Sequence, residues 1–279
     1  MPELPEVETV RALLDRLLVG KKLTEIETLP DSIVFESASH DEVRETILGK
    51  TPTSTGRKGK LFWMNFGDAP TLMMHLGMSG WVVDVNAERE KRLVSHGKAP
   101  LEDPEGRPRF LKLMWKTSDS AAAFTDGRRL ARIWLGDPAT DKRVLGMGPD
   151  VYLQPPTQAD LANRLNKRTA PIKALLLDQK LFCGIGNWVA DEVLYASGIA
   201  PQRAAGSLSF EELMRLSEAI EFVVNLAVKQ EADESRYPDD WLFHVRWGGG
   251  KGSELHQGED LRRDQVGGRT TAWVPARQK

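Results

Sequence analysis

At 279 residues, with 41% hydrophobic and 28% charged residues, the sequence describes an ordinary globular protein that is long for one compact core, so two domains are expected. A net charge of -2 excludes a globally basic surface, and the single cysteine, Cys183, excludes an internal disulfide and a cysteine-rich zinc site. No apolar run is long enough to span a bilayer and the start lacks the basic and apolar regions of a secretory signal, which points to an intracellular protein with no membrane partner.

The chain opens MPELPEVETV. Pro5 suits the first turn of a helix, Glu6 and Glu8 favour its positive end, and Gly20 offers a stop. Between them Val7, Val10, Leu13, Leu14, Leu17 and Leu18 recur at helical spacing, so one face of this helix should be buried. Capping and periodicity leave Met1 to Leu4 without a reason.

From residue 22 to 135 the pattern is of short strands between turns: LTEIETL, KLFWMNF, TLMMHLGMSGWVVDV, FLKLMWK, AAAFTD and ARIWL. Such spacing predicts an antiparallel β-sandwich, with a charged surface loop over 86–109. The stretch LGMGPDVYLQPP breaks both periodicities and marks a domain boundary. Beyond it Thr157 with Asp160, and Ser209 with Glu212, read as helix caps, PIKALLLDQ as an apolar helix, and CGIGNWVADEVLYASGI as a glycine turn opening another helix. From Trp241 the chain returns to hairpin sequence, with Gly248 to Gly250 in a loop and VGGRTTAWV as a strand with a turn.

Several motifs carry potential chemistry. Gly184 and Gly186 at a helix start allow close approach of an anion to exposed N–H groups, with Asn187 as a further donor, although a plain linking turn accounts for the same residues. Lys60 ends the basic run Arg57 to Lys60, and His75 lies in MMHLGMSG; a solvated hairpin lysine and a half-buried histidine are the structural alternatives. Arg269 in Gly-Gly-Arg-Thr-Thr presents a guanidinium either to phosphate or simply to solvent. Cys183 reads as a small buried hydrophobe.

Taken in order, MPELPEVE, RKGK, HLGMSG, DGRR, LLLDQ with GIGNWVADEVLY, and a terminal GRTT resemble the formamidopyrimidine-DNA glycosylase family, the Fpg/MutM branch of Fpg/Nei, over nearly the whole chain. The resemblance implies a multidomain α+β fold. A catalytic N-terminal antiparallel β-sandwich with an N-terminal helix (1–147) precedes a helix-two-turn-helix, or H2TH, DNA-binding domain (148–240) and a finger hairpin (241–279). It further implies a bifunctional DNA glycosylase and AP lyase of base excision repair, acting as a monomer on damaged double-stranded DNA, without cofactor. Its location would be the cytoplasm and nucleoid of a bacterium or the nucleus of a eukaryote.

Carried onto this sequence, the family pattern makes Pro2 the nucleophile once Met1 is removed, with Glu3, Lys60 and Arg269 as the other catalytic residues and Glu6 and Glu192 in support. An α-amino group with a reference pKa of roughly 8 supplies a usable neutral fraction near pH 7, which an ordinary lysine does not. Lys60, His75, Asn187 and Arg269 match phosphate ligands that hold a kinked backbone around a flipped nucleotide. Met78 matches the residue that fills the vacated space, Arg128 the partner of the orphaned cytosine, and Leu130 stands where an aromatic wedge is usual. Glu6 and Glu192 are equally compatible with structural helix acids.

Two departures from the family pattern stand out. The four zinc cysteines of the finger are absent, and His244 with His256 cannot replace them, so the finger resembles the zincless kind of plant-type Fpg and of Nei-like relatives, with the packing of Trp241, Trp247 and Trp273 expected to replace the metal. The segment EADESRYPDDWLF is too short for the loop that covers a flipped 8-oxoguanine. Resemblance to the zincless members therefore implies formamidopyrimidines, hydantoins and abasic sites as substrates, with weak action on 8-oxoguanine. A Nei-type glycosylase for oxidised pyrimidines and a non-catalytic binder of damaged DNA are the alternatives.

Overall fold

The computed structural model describes residues 2–87, 102–247 and 254–279. The chain divides into two compact units, Met1–Pro2 with Glu6–Leu145, and Glu3–Pro5 with Gly146–Lys279. The division passes through the first turn of helix α1 (Leu4–Leu18): Leu4 belongs to the core of the second unit, and Val7, Val10, Leu14 and Leu18 to that of the first.

The first unit continues with β1 (Glu25–Thr28), α2 (His40–Ile47), β2 (Ser54–Lys58), β3 (Leu61–Asn65), β4 (Thr71–His75), β5 (Trp81–Asp84), β6 (Leu111–Lys116), β7 (Ala121–Thr125), β8 (Arg132–Gly136) and the short α3 (Lys142–Leu145). Two four-stranded sheets, β1-β6-β7-β5 and β2-β3-β4-β8, are antiparallel throughout. Phe62, Met64, Leu72 and Met74 of one sheet meet Val82, Leu113, Trp115 and Phe124 of the other in a single core, the sandwich that the strand spacing predicts. The long stretch 71–85 is two strands, because the backbone turns at Leu76 to Gly80, where Gly77 adopts φ +62 and the N–H of Gly80 donates to the carbonyl of Leu76.

Besides the short α3, two elements have no counterpart in the sequence reading. Helix α2 starts from a reciprocal cap, in which Ser39 Oγ accepts from the N–H of Glu42 at 3.1 Å and Glu42 Oε2 accepts from the N–H of Ser39 at 2.7 Å. It buries only Val43 and Ile47, too few to produce a visible apolar period. Strand β2 is polar because it is a sheet edge, and the run read as a basic turn contributes Arg57 and Lys58 to it. Arg57 turns inward, donating to Glu8 Oε2 at 2.9 Å and to the carbonyl of Gly59 at 2.9 Å.

The second unit contains α4 (Gln158–Leu165), α5 (Ile172–Leu176), α6 (Asn187–Ser197) and α7 (Phe210–Lys229), then β9 (Glu254–His256), β10 (Glu259–Val266) and β11 (Arg269–Trp273) in the sheet order β11-β10-β9. Thr157 and Ser209 form full capping boxes with Asp160 and Glu212, as their spacing predicts. The α5 helix is shorter than PIKALLLDQ implies, since Asp178 and Gln179 leave it to shape the following turn. Trp188 of α6 sits at the centre of the core, its ring centroid 5.8 Å from that of Tyr237, 6.3 Å from that of Trp241 and 5.1 Å from that of Phe243. These three rings bind the connection between α7 and the hairpin to the body of the unit. The expected loop over Gly248 to Gly250 and most of the expected loop over 86–109 lie outside the described residues.

Candidate active site

The second unit holds Glu3 at the N-terminus of α6. The Glu3 carboxylate is 1% exposed and accepts from the N–H of Trp188 at 2.9 Å and of Val189 at 3.1 Å, two of the donors that a helix start leaves without intrahelical partners. The glycines ahead of the helix exist for this fit. A Cβ at Gly186 would overlap the Glu3 carboxyl group, and one at Gly184, whose φ is +108, would overlap the Leu4 side chain. The N–H of Gly184 is itself occupied by Gln179 Oε1 at 2.9 Å. The close approach that Gly184 and Gly186 permit is thus to Glu3 and Leu4 and not, as the motif implies, to a phosphate, because the carboxylate already fills the positive end of the helix.

Three further residues of α6 fasten the hairpin that carries Arg269. Asn187 Nδ2 donates to the carbonyl of Thr270 at 3.0 Å, which brings Asn187 beside Arg269, and its Oδ1 is buried without a partner among the described residues. Asp191 lies at the centre of a buried charge cluster. Its Oδ1 accepts from Lys173 Nζ, and its Oδ2 accepts from Arg246 Nη2 at 2.6 Å and from the N–H of Ala272 at 3.3 Å. Lys173 also donates to Thr271 Oγ1 at 2.6 Å; burial pulls its pKa down while Asp191 opposes the shift. Glu192 accepts from the N–H groups of Leu242 at 3.2 Å and Phe243 at 3.0 Å, a structural clamp on the segment entering the hairpin. Burial pushes its pKa up to about 8, outweighing the two N–H donors that favour the charged form.

The hairpin is held differently from the expected tryptophan packing. Trp241 joins the cluster around Trp188, Trp247 is 62% exposed under the Arg246 guanidinium, and Trp273 Nε1 donates to Asp264 at 2.6 Å. A small core of Leu242, Leu261, Ala272 and Val274 and the Asp191 cluster do the holding. Gly267, with φ +60, lets the turn lie against Ala174 of α5, where a Cβ would come within 2.9 Å. His256 Nε2 bonds the carbonyl of Asp240 at 2.9 Å, and His244 Nε2 that of Pro238 at 3.1 Å, so both rings have structural partners.

In the first unit the β-ladder aligns Leu61 with His75 and His75 with Arg132, placing Lys60 at the same sheet end. Arg132 and Arg143 share Glu36, at 2.8 and 2.6 Å, and complete a basic edge that the motifs do not include. Burial, then Lys60, Arg143 and Arg132, lower the pKa of His75 to about 4. Its Nδ1 accepts from the N–H of Gly77 at 3.0 Å, so the neutral ring carries its proton on Nε2 and is a hydrogen-bond donor there. Met78, 42% exposed, and Leu130, 38% exposed, project from neighbouring turns, with Arg128 exposed beside them. Pro2 precedes α1, and Glu6 lies half-buried in its first turn.

Residues 1–133 match the family model for the formamidopyrimidine-DNA glycosylase N-terminal domain, and residues 147–239 that for the formamidopyrimidine-DNA glycosylase H2TH domain. The formamidopyrimidine-DNA glycosylase of Arabidopsis thaliana is 37% identical over all of this chain and 71% of its own length, and that of Rhizorhabdus wittichii 33% identical over the whole of both. Lactococcus lactis Fpg, solved non-covalently bound to DNA containing an AP site, superposes with a TM-score of 0.79 at 26% identity over the whole of both chains. MutM in complex with carbocyclic 8-oxo-G containing DNA gives 0.76 at 27%, again over the whole of both.

Two measurements check this geometry. Gly186→Ala should displace the Glu3 carboxylate while circular dichroism stays native, and if Glu3 takes part in the reaction base excision should fall by about 100-fold, as for a group misplaced by an ångström; an unchanged rate contradicts a reacting role for Glu3. Glu192 has a folded-state pKa raised above its unfolded value of roughly 4.3, so its contribution to stability is full below that pH and is lost as pH rises towards 8. Urea unfolding at pH 5, 6.5 and 8 should show Glu192→Gln gaining stability relative to wild type as pH increases.

Proposed function

The chain belongs to the formamidopyrimidine-DNA glycosylase family, and from that premise we propose how its residues divide the work. It is a DNA glycosylase and AP lyase of base excision repair, and its partner is damaged DNA. No helix among the described residues is long and apolar enough to cross a membrane. The compartment follows the DNA, nucleoid or nucleus.

In the proposed mechanism Met1 is removed and the Pro2 secondary amine attacks the sugar C1′. The N–C1′ bond forms as the C1′–base bond breaks, and the departing base takes the electron pair and a proton. Opening of the sugar at C1′–O4′ delivers an iminium, with O4′ protonated. Loss of a C2′ proton then expels the 3′ phosphate, and a second elimination expels the 5′ phosphate. Glu3 moves the protons at the sugar. Its fixed seat at α6 supports this reading, since the N–H groups of Trp188 and Val189 hold both carboxylate oxygens in one orientation. This seat is the single observation that carries the proposal, because it anchors the residue peptide-bonded to Pro2.

Lys60 and His75 of the first unit, and Asn187 and Arg269 of the second, are the phosphate ligands of this reading. The neutral His75 donates through Nε2, and Arg269 is exposed on a hairpin tied down by Asn187. Met78 fills the space left by the flipped nucleotide, Arg128 pairs with the orphaned cytosine, and Leu130 acts as an aliphatic wedge. Glu6 stands at the start of α1 in a supporting role. For the lesion, the chain segment after α7 is drawn onto Trp188 by Tyr237, Trp241 and Phe243, which supports the absence of a cover over a flipped 8-oxoguanine. The substrates are then formamidopyrimidines, hydantoins and abasic sites.

Borohydride should trap the wild-type protein covalently on abasic DNA and fail to trap Pro2→Gly; an untrapped wild type whose mass shows Pro2 at the terminus would favour a non-catalytic binder of damaged DNA. In single-turnover cleavage, a duplex with guanidinohydantoin should react faster than one with 8-oxoguanine, and a clear preference for 8-oxoguanine would sink the proposed lesion class.

A further inference from the structure

The turn bearing Met78 and the loop bearing Arg128 and Leu130 meet on one side chain that makes no contact with solvent. Asp126, at the end of β7, is 0% exposed and receives four hydrogen bonds. Its Oδ1 accepts from Ser79 Oγ at 2.6 Å and from the N–H of Arg128 at 3.0 Å; its Oδ2 accepts from the N–H groups of Leu130 and Ala131, both at 2.7 Å. None of these donors is a charged side chain. The carboxylate is therefore placed to fix backbone, with every acceptor direction committed to the two segments.

The surrounding geometry gives the clamp its consequence. Arg129, between the two exposed side chains, adopts a left-handed φ of +57 and is drawn away by Asp31, whose carboxylate accepts from its Nε at 3.0 Å and its Nη2 at 3.0 Å. With the N–H groups on either side of it held by Asp126, Arg128 and Leu130 are left facing outward. The Met78 turn is pinned at both flanks, by His75 Nδ1 accepting from Gly77 and by Ser79 reaching Asp126. Gly77 packs backbone to backbone on the other loop: a Cβ there would overlap the carbonyl of Leu130.

We propose that Asp126 is a positioning residue that makes the Met78 turn and the Arg128–Leu130 loop one insertion element, so that recognition of the base opposite the lesion depends on a carboxylate that never touches DNA. This rests on the reading of Met78, Arg128 and Leu130 as the residues that enter the duplex. Asp126→Asn keeps the shape but turns one acceptor into a donor aimed at existing donors, breaking the hold on one of the two sides.

The test compares Asp126→Asn, Ser79→Ala, Arg128→Ala and the Asp126→Asn/Arg128→Ala double variant. The quantities measured are the ratio of excision rates opposite cytosine and adenine in duplex DNA, and cleavage of an abasic site in single-stranded DNA, where there is no opposite base and no void to fill. Asp126→Asn should lower the cytosine-to-adenine ratio at least tenfold, Ser79→Ala by less, with single-strand cleavage within about twofold of wild type for both. The double variant should be no less selective than Arg128→Ala alone. An Arg128→Ala that collapses the ratio while Asp126→Asn and Ser79→Ala leave it intact overturns the clamp and spares the reading beneath it. An Arg128→Ala without effect overturns both. Equal losses on single- and double-stranded DNA make Asp126 a support of the fold and overturn the proposal, and Ser79→Ala decides the matter if Asp126→Asn fails to fold.

Discussion

The Glu3 carboxylate seated on the first amides of α6 is the constraint from which the second unit is organised. A helix start has donors to offer and a partial positive charge, and here both are used by an acid of the same chain. That choice dictates the sequence around it: glycines at 184 and 186 because nothing larger fits beside Leu4 and Glu3, and Gln179 to hold the turn that presents them. The same helix then uses successive polar positions for separate attachments. Asn187 reaches the backbone beside Arg269, Asp191 the strand after it, and Glu192 the segment leading into the hairpin. One short helix thereby sets the positions of Glu3 and of the arginine-bearing strand.

In the first unit the corresponding task is done by the sandwich ladder. Register alone aligns His75 with Leu61 and Arg132, and burial, reinforced by three cations, then keeps the imidazole neutral. A histidine in that state offers one donor in a fixed direction and adds no charge to an already basic edge. The acids nearby serve geometry: Glu36 spaces Arg132 and Arg143, and Asp31 is held well below the usual carboxylate range, its burial outweighed by hydrogen bonds from Arg129, Lys112 and the N–H groups of Ile33 and Val34.

Much of this was legible in the residues. Alternating strands, the boxes at Thr157 and Ser209 and the periodic apolar face of α1 follow from local rules, and they hold in the structure. The family was legible from motif order, down to the H2TH domain. What escaped depends on contacts distant in sequence. Lys173 and Asp191 each look like solvated helix charges, yet they are buried together because α5 and α6 cross there. Gly186 looks like part of a phosphate loop, since nothing local reveals that residue 3 returns to fill it. Asp126 reads as a strand-ending turn acid, and its four donors come from segments up to 47 positions away. Helix α2 did carry a local signal in Ser39 and Glu42, obscured by the near absence of an apolar period.

The Asp191 cluster has a bearing on the chemical setting in which such an enzyme works. Where the family pattern implies thiolates on zinc, this chain holds the Arg269 hairpin with a carboxylate, an ammonium and a guanidinium, and residues 184–279 contain no cysteine. Thiolates are consumed by the same oxidants that damage guanine, climbing to sulfenic and higher acids and releasing their metal. Carboxylate and guanidinium groups do not enter that ladder. The Arg269 hairpin is thus fastened, among the described residues, by groups that peroxide leaves intact.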